Sequence, residues 1–95
     1  MSFAGQTAWI TGASSGIGAA LARALAAQGA HLVLSGRNVA ALEAVAKDCG
    51  QALVLPFETT DQTALAPAVA QAWTWASERS GGVDLLVNNA GISQR

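Results

Sequence analysis

Thr11-Gly12-Ala13-Ser14-Ser15-Gly16-Ile17-Gly18 joins two stretches of unlike pattern, and its three glycines constrain the fold more than any other feature. Before it, Thr7 to Thr11 is short, β-branched and aromatic, as a strand is. After it, apolar residues recur at Ile17, Leu21, Ala24 and Leu25, which is helical spacing, and Gly29 ends that helix near Gln28 as a left-handed cap. The chain therefore begins strand, glycine turn, helix.

The alternation continues. Ala30 to Ser35 reads as a second strand buried on both faces. Asn38 is an N-cap for a helix to about Cys49, with Leu42, Val45 and Ala46 on one face and Glu43 paired with Lys47 on the solvent side. Gly50 stops it. Gln51 to Phe57 is a third strand, with Pro56 tolerable only near its end. Asp61 caps a third helix, Gln62 to Arg79, with an apolar stripe at Leu65, Val69, Ala72 or Trp73, and Ala76. Pro67 should tighten or kink it early. Val83 to Val87 is a fourth strand that runs into Asn88-Asn89-Ala90-Gly91. With right-handed crossovers, β-α-β-α-β-α-β predicts an α/β Rossmann-type parallel sheet of order 3-2-1-4. The first two helices cover one face and the third covers the other.

The glycine turn has a direct chemical use. The first N–H groups of a helix lack intrahelical partners, and the aligned peptide dipoles make that end positive. A pyrophosphate is a natural occupant. Gly12 permits the tight turn, Gly16 lets backbone and phosphate approach, and Gly18 lets the helix pack closely on the strand. Ser14 and Ser15 add hydroxyl donors. Glycine-rich turns also occur for backbone reasons alone, but this one stands in the right strand–turn–helix setting. No Gly-Lys-Ser/Thr follows, so it is not a P-loop.

Composition narrows the partners. Charged residues make up 12% of the 95, about half the ~25% usual for soluble domains. A net charge of −1 gives no basic field for nucleic acid or an anionic membrane. No stretch reads as a signal peptide or a bilayer span. The single cysteine, Cys49, makes no internal disulfide and points to a cytoplasmic chain. It reads as an ordinary thiol. His31 reads as structural, with no metal-ligand spacing around it. Trp73 and Trp75 point to different sides of the third helix: one to the core, the other to solvent or a protein contact.

Thr11-Gly12-x-x-x-Gly16-x-Gly18 together with Asn88-Asn89-Ala90-Gly91 resembles the paired signature of short-chain dehydrogenases/reductases. The resemblance covers the whole chain, residues 1–95, but only the N-terminal, dinucleotide-binding part of that family's domain. It implies a Rossmann-type fold with NAD(H) or NADP(H) bound along the carboxyl ends of its strands. By that resemblance Gly12, Ser14, Ile17 and Gly18 line the adenosine and pyrophosphate. Glu58 and Thr59, where the family often has Asp and then an aliphatic residue, sit by the adenine. Asn89, Ala90 and Gly91 contact the nicotinamide-side ribose, and Asn89 also braces the central strands.

Cofactor choice follows from the end of the second strand. An NAD-binding chain usually carries a carboxylate there for the ribose hydroxyls. Ser35-Gly36-Arg37-Asn38 has none. Arg37, with Asn38 beside it, can grip a 2′-phosphate through two N–H groups, which favours NADP over NAD. The alternative is that Arg37 stacks on the adenine or lies in solvent.

Catalysis in the family resembles acid–base chemistry by a Tyr-x-x-x-Lys pair and a Ser, all beyond the fourth strand. This sequence has no tyrosine, and its one lysine, Lys47, lies in the second helix. No catalytic residue and no metal ligand is assigned. Ending after the fourth strand, the chain should present an open apolar edge at Leu85-Leu86-Val87 and a partly bare sheet face. Several hundred Å2 left exposed forgoes on the order of 10 kcal/mol. Self-association, marginal folding, or a longer parent chain follows. Three functions remain open: the cofactor segment of an NADP(H)-dependent oxidoreductase, a non-catalytic dinucleotide-binding module, or a truncated self-associating product.

Overall fold

The computed structural model describes residues 3–14, 16–56 and 62–88. The element order is β1 (Thr7–Thr11), α1 (Gly16–Ala27), β2 (His31–Ser35), α2 (Val39–Cys49), β3 (Ala52–Val54), α3 (Gln62–Ser80) and β4 (Leu85–Asn88). The strands form one parallel sheet in the order β3-β2-β1-β4, as the alternating pattern predicts.

Side-chain alternation along the strands divides the interior in two. Ala8, Ile10, Leu32 and Leu34 face α1 and α2, where Ala19, Ala22, Leu25, Leu42 and Val45 meet them. Trp9 and Val33 face the other way and pack with Leu55, Ala68 and Ala72. The first cluster is aliphatic and closely covered. Among the described residues the second has one helix over it, α3, which meets it through Ala68, Ala72 and Trp75.

Local signals explain most of the boundaries. The Asn38 side chain accepts from the Ala41 amide at 3.1 Å and caps α2. At the other end of α1, Ala30 N–H donates to Leu25 O at 3.1 Å and Gly29 N–H to Ala26 O at 2.9 Å, a Schellman closure. It holds Ala30 at the helix end, so β2 starts at His31 rather than at Ala30. Pro67 lies inside α3, which continues past it to Ser80.

Three further expectations are corrected. The third strand is Ala52–Val54 rather than Gln51 to Phe57. Its ladder on β2 ends at Leu34–Val54, and Pro56, lacking an N–H, does not extend it. Phe57 and the cap at Asp61 lie outside the described residues. The fourth strand begins at Leu85 rather than Val83, because Asp84 is used as a tie: its N–H donates to Thr7 O at 2.9 Å, and its carboxylate accepts from Thr7 N–H at 2.8 Å. Thr7 Oγ1 and Ser80 Oγ, 2.7 Å apart, close the same knot. Finally, the ion pair on the α1–α2 layer joins Arg23 to Asp48 at 2.8 Å, not Glu43 to Lys47.

The two tryptophans of α3 divide as their spacing requires. Trp75 packs against the second cluster, edge-on to His31 and under the Arg79 guanidinium, 4.1 Å from the ring centroid. Trp73 is 49% exposed, and Leu65 and Val69 are exposed too, so the expected apolar stripe is corrected at those positions: the buried side of α3 is Ala68, Ala72 and Ala76. Leu86 of β4 is 60% exposed, as expected for the strand at one end of this four-stranded sheet. Among the described residues, no helix is long and apolar enough to cross a membrane.

Gly29 has φ +92, and a Cβ there would lie 2.9 Å from Ala4 Cα. Gly29→Ala should therefore cost about 1–3 kcal/mol, from the left-handed backbone and the contact together, read as a lower urea midpoint.

Candidate functional site

The carboxyl ends of β1, β2 and β4 lie side by side, with Thr11 in register with both Ser35 and Asn88. In an open parallel sheet this is where a crevice for ligands forms. The β1–α1 turn leaves β1 through Gly12 at φ +67, a conformation that disfavours other residues. The next amide, of Ala13, donates to Ser35 O at 3.0 Å. The turn is thereby tied to the last residue of β2.

Each candidate residue has a definite place. Gly16 is the first residue of α1, and a Cβ built on it would meet nothing within 4 Å. Ile17 follows, 71% exposed. Gly18 is buried, as are Ala19 and Ala22 one turn further, so α1 approaches the sheet on small residues. Ser14 stands against the β2–α2 connection, where a Cβ on Gly36 would come within 3.2 Å of Ser14 Oγ. Arg37 is exposed just beyond the end of β2. Asn38 commits its side-chain oxygen to the α2 cap. The structure thus brings Gly12, Ser14, Gly16, Ile17 and Gly18 together on one turn, with Arg37 and Asn38 on the neighbouring one. Ser15, Glu58, Thr59, Asn89, Ala90 and Gly91 lie outside the described residues.

Two contacts went unread in the sequence. Thr11 Oγ1 donates to Asn88 Oδ1 at 3.0 Å, so within the described residues Asn88 ties the end of β4 to the end of β1. The signal available was positional, since each residue is the last of its strand. The Trp9 indole N–H donates to Ser35 Oγ at 2.8 Å. Its signal was weaker: both residues fall on one sheet face.

The electrostatics favour an anion. No Asp or Glu precedes Glu43 in the sequence, and the first turn of α1 contains no acid. The positive end of α1 therefore has no carboxylate from its own turn to neutralise it. Among the described residues, no three His, Cys, Asp or Glu gather as metal ligands would. Cys49 is buried away from the strand ends. Burial pushes its thiol above the ordinary range, and Asp48 adds to this against the opposing pull of Arg23, which keeps it protonated and unreactive.

A parallel sheet of order 3-2-1-4 with a glycine turn at a helix start defines a Rossmann-type fold. Comparison with known proteins carries this further. The short chain dehydrogenase family model matches residues 6–95. The chain is 42% identical over 99 residues to gluconate 5-dehydrogenase of Gluconobacter oxydans, covering 99% of this chain and 37% of that one. It is 40% identical over 89 residues to D-beta-hydroxybutyrate dehydrogenase of Cupriavidus necator, covering 93% and 34%. A solved short-chain dehydrogenase/reductase from Serratia marcescens superposes with a TM-score of 0.80 at 33% identity, covering 94% of this chain and 37% of that one. The chain belongs to the short-chain dehydrogenase family, and spans about a third of the length of these relatives.

Gly16 is a glycine the fold does not require, because its Cβ position is open. Gly16→Ala should leave stability unchanged or raise it by up to about 1 kcal/mol, measured by urea melts, since alanine is the better helix former.

Proposed function

We propose that this chain is the cofactor-binding part of an NADP(H)-dependent oxidoreductase that moves a hydride between nicotinamide and an alcohol or carbonyl. Gly16 carries this reading. A glycine with open space at its Cβ, in the first turn of a helix whose turn has no acid, is suited to a group that needs close approach to bare amides. A diphosphate is such a group. Ile17, exposed beside it, offers apolar cover.

A dinucleotide lying across the strand ends would use the following residues. Gly12, Ser14, Ser15, Gly16, Ile17 and Gly18 would hold the pyrophosphate and adenosine. Glu58 and Thr59 would sit by the adenine, and Asn89, Ala90 and Gly91 by the distal ribose. The nicotinamide supplies the hydride acceptor or donor. The chain's own residues would bind and orient it, and none of these 95 residues is assigned to the substrate's proton. A cytoplasmic location fits the single buried thiol.

The preference for NADP rests on Arg37. It is exposed one residue past the Gly36 connection, with no carboxylate between Ser35 and Asn38 to repel a 2′-phosphate. A guanidinium–phosphate pair of about 1.5–3 kcal/mol corresponds to roughly 10- to 100-fold in affinity. Arg37→Asp should therefore weaken NADPH binding by about that factor and leave NADH binding unchanged or tighter. Calorimetry on the full chain reads both, and an unaltered NADPH/NADH ratio would overturn the preference. Gly16→Ala should weaken both nucleotides alike without lowering the urea midpoint.

The 95-residue chain by itself should self-associate through β4. Leu86 is 60% exposed on the sheet face that it shares with Trp9, and Leu65, Val69 and Trp73 of α3 are exposed nearby in sequence at helical spacing. Sedimentation should show dimers or larger species, and Leu86→Lys should shift them toward monomer. A folded, monodisperse monomer overturns the association.

A further inference from the structure

We propose that Trp9 and Ser35 form a positioning pair, which holds the glycine turn at a set distance from the Gly36–Arg37 connection. The consequence for affinity rests on the nucleotide reading above, but the clamp itself does not.

Trp9 is 5% exposed and packs with Val33, Leu55, Ala68 and Ala72. Its indole N–H can donate and nothing else. The acceptor is Ser35 Oγ at 2.8 Å, on a residue that is 0% exposed. In register Trp9 lies opposite Val33, so the bond reaches along β2 to that strand's last residue. Ser35 is then held twice. Its side chain takes the indole N–H, and its carbonyl takes the Ala13 amide at 3.0 Å. One residue thus links the core beneath α3 to the β1–α1 turn on the other side of the strand ends.

The geometry after Ser35 gives this link its use. A Cβ on Gly36 would reach 3.2 Å from Ser14 Oγ, so the two connections are packed against each other at that point. Arg37 comes next. A shift of Ser35 would move Ala13 and Ser14 relative to Arg37, the groups proposed to meet the diphosphate and the 2′-phosphate. The ribose that joins those two phosphate groups limits how far apart they can lie. A site that grips both therefore gains from holding its two connections in place before binding.

Trp9→Phe keeps most of the ring and its apolar contacts but removes the donor, and Ser35→Ala removes the acceptor. In the full chain, without nucleotide, each should speed hydrogen exchange of the Ala13 amide. Each should also weaken NADPH binding by about three- to tenfold, as loss of one buried hydrogen bond allows. The double variant should be no worse than the more affected single one. Asp84→Ala is the control. It loosens the opposite end of β1, lowers the melting midpoint, and should leave Ala13 exchange and NADPH affinity at their original values. The clamp is overturned if Trp9→Phe and Ser35→Ala leave Ala13 exchange as it was, or alter it no more than Asp84→Ala does. Unmodified chain that binds neither NADPH nor NADH overturns the nucleotide reading and the affinity effect, while Ala13 exchange still decides the clamp.

Discussion

The bond from the Ala13 amide to Ser35 O is the contact on which the candidate site depends. Two neighbouring parallel strands end at the same level, and each must hand over to a helix. Left to itself, each connection would find its own path. One main-chain hydrogen bond of 3.0 Å, made possible by the left-handed Gly12 just before it, makes the two paths a single surface. The start of α1, the Ser14 hydroxyl and the root of Arg37 are all placed relative to that bond.

The rest of the architecture supplies rigidity beneath it. Ile10, Leu32 and Leu34 are 0% exposed, and α1 and α2 cover them with small and branched residues. Interiors packed at this density do not deform in small steps, so the strand ends are firm points. The cofactor site proposed above would be attached to that firm edge, with amides and one exposed apolar side chain from the turn and a cation from the adjacent connection.

Much of this was readable before any coordinates. Asn38 and Gly29 announced the start of one helix and the end of another by their own chemistry, and both do what those residue types do at helix ends. The strand order followed from right-handed crossovers and the position of the glycine turn. What could not be read were distances between strands. The length of β3 depends on where its partner stops, and the start of β4 depends on Asp84 folding back to Thr7, 77 residues away. Trp9 and Ser35 are 26 residues apart, and no local pattern joins a donor to an acceptor over that span. Arg37 was visible as a cation just past the second strand, where it is exposed, whereas the Asn38 side-chain oxygen caps its helix.

The β1–β4 pairing carries a consequence for the order in which the chain can assemble. β1 sits between a neighbour that follows it closely, β2, and one that comes only after three more elements, β4. As the polypeptide emerges from the ribosome, β1, α1, β2, α2 and β3 are available to build the aliphatic layer from contacts between adjacent segments, which close cheaply. Meanwhile Trp9 faces water until α3 has been made, and one edge of β1 keeps its amides unpaired until Leu85 to Asn88 appear. Late synthesis of its second partner leaves β1, an interior strand of this sheet, as the last of the interior pair to be completed.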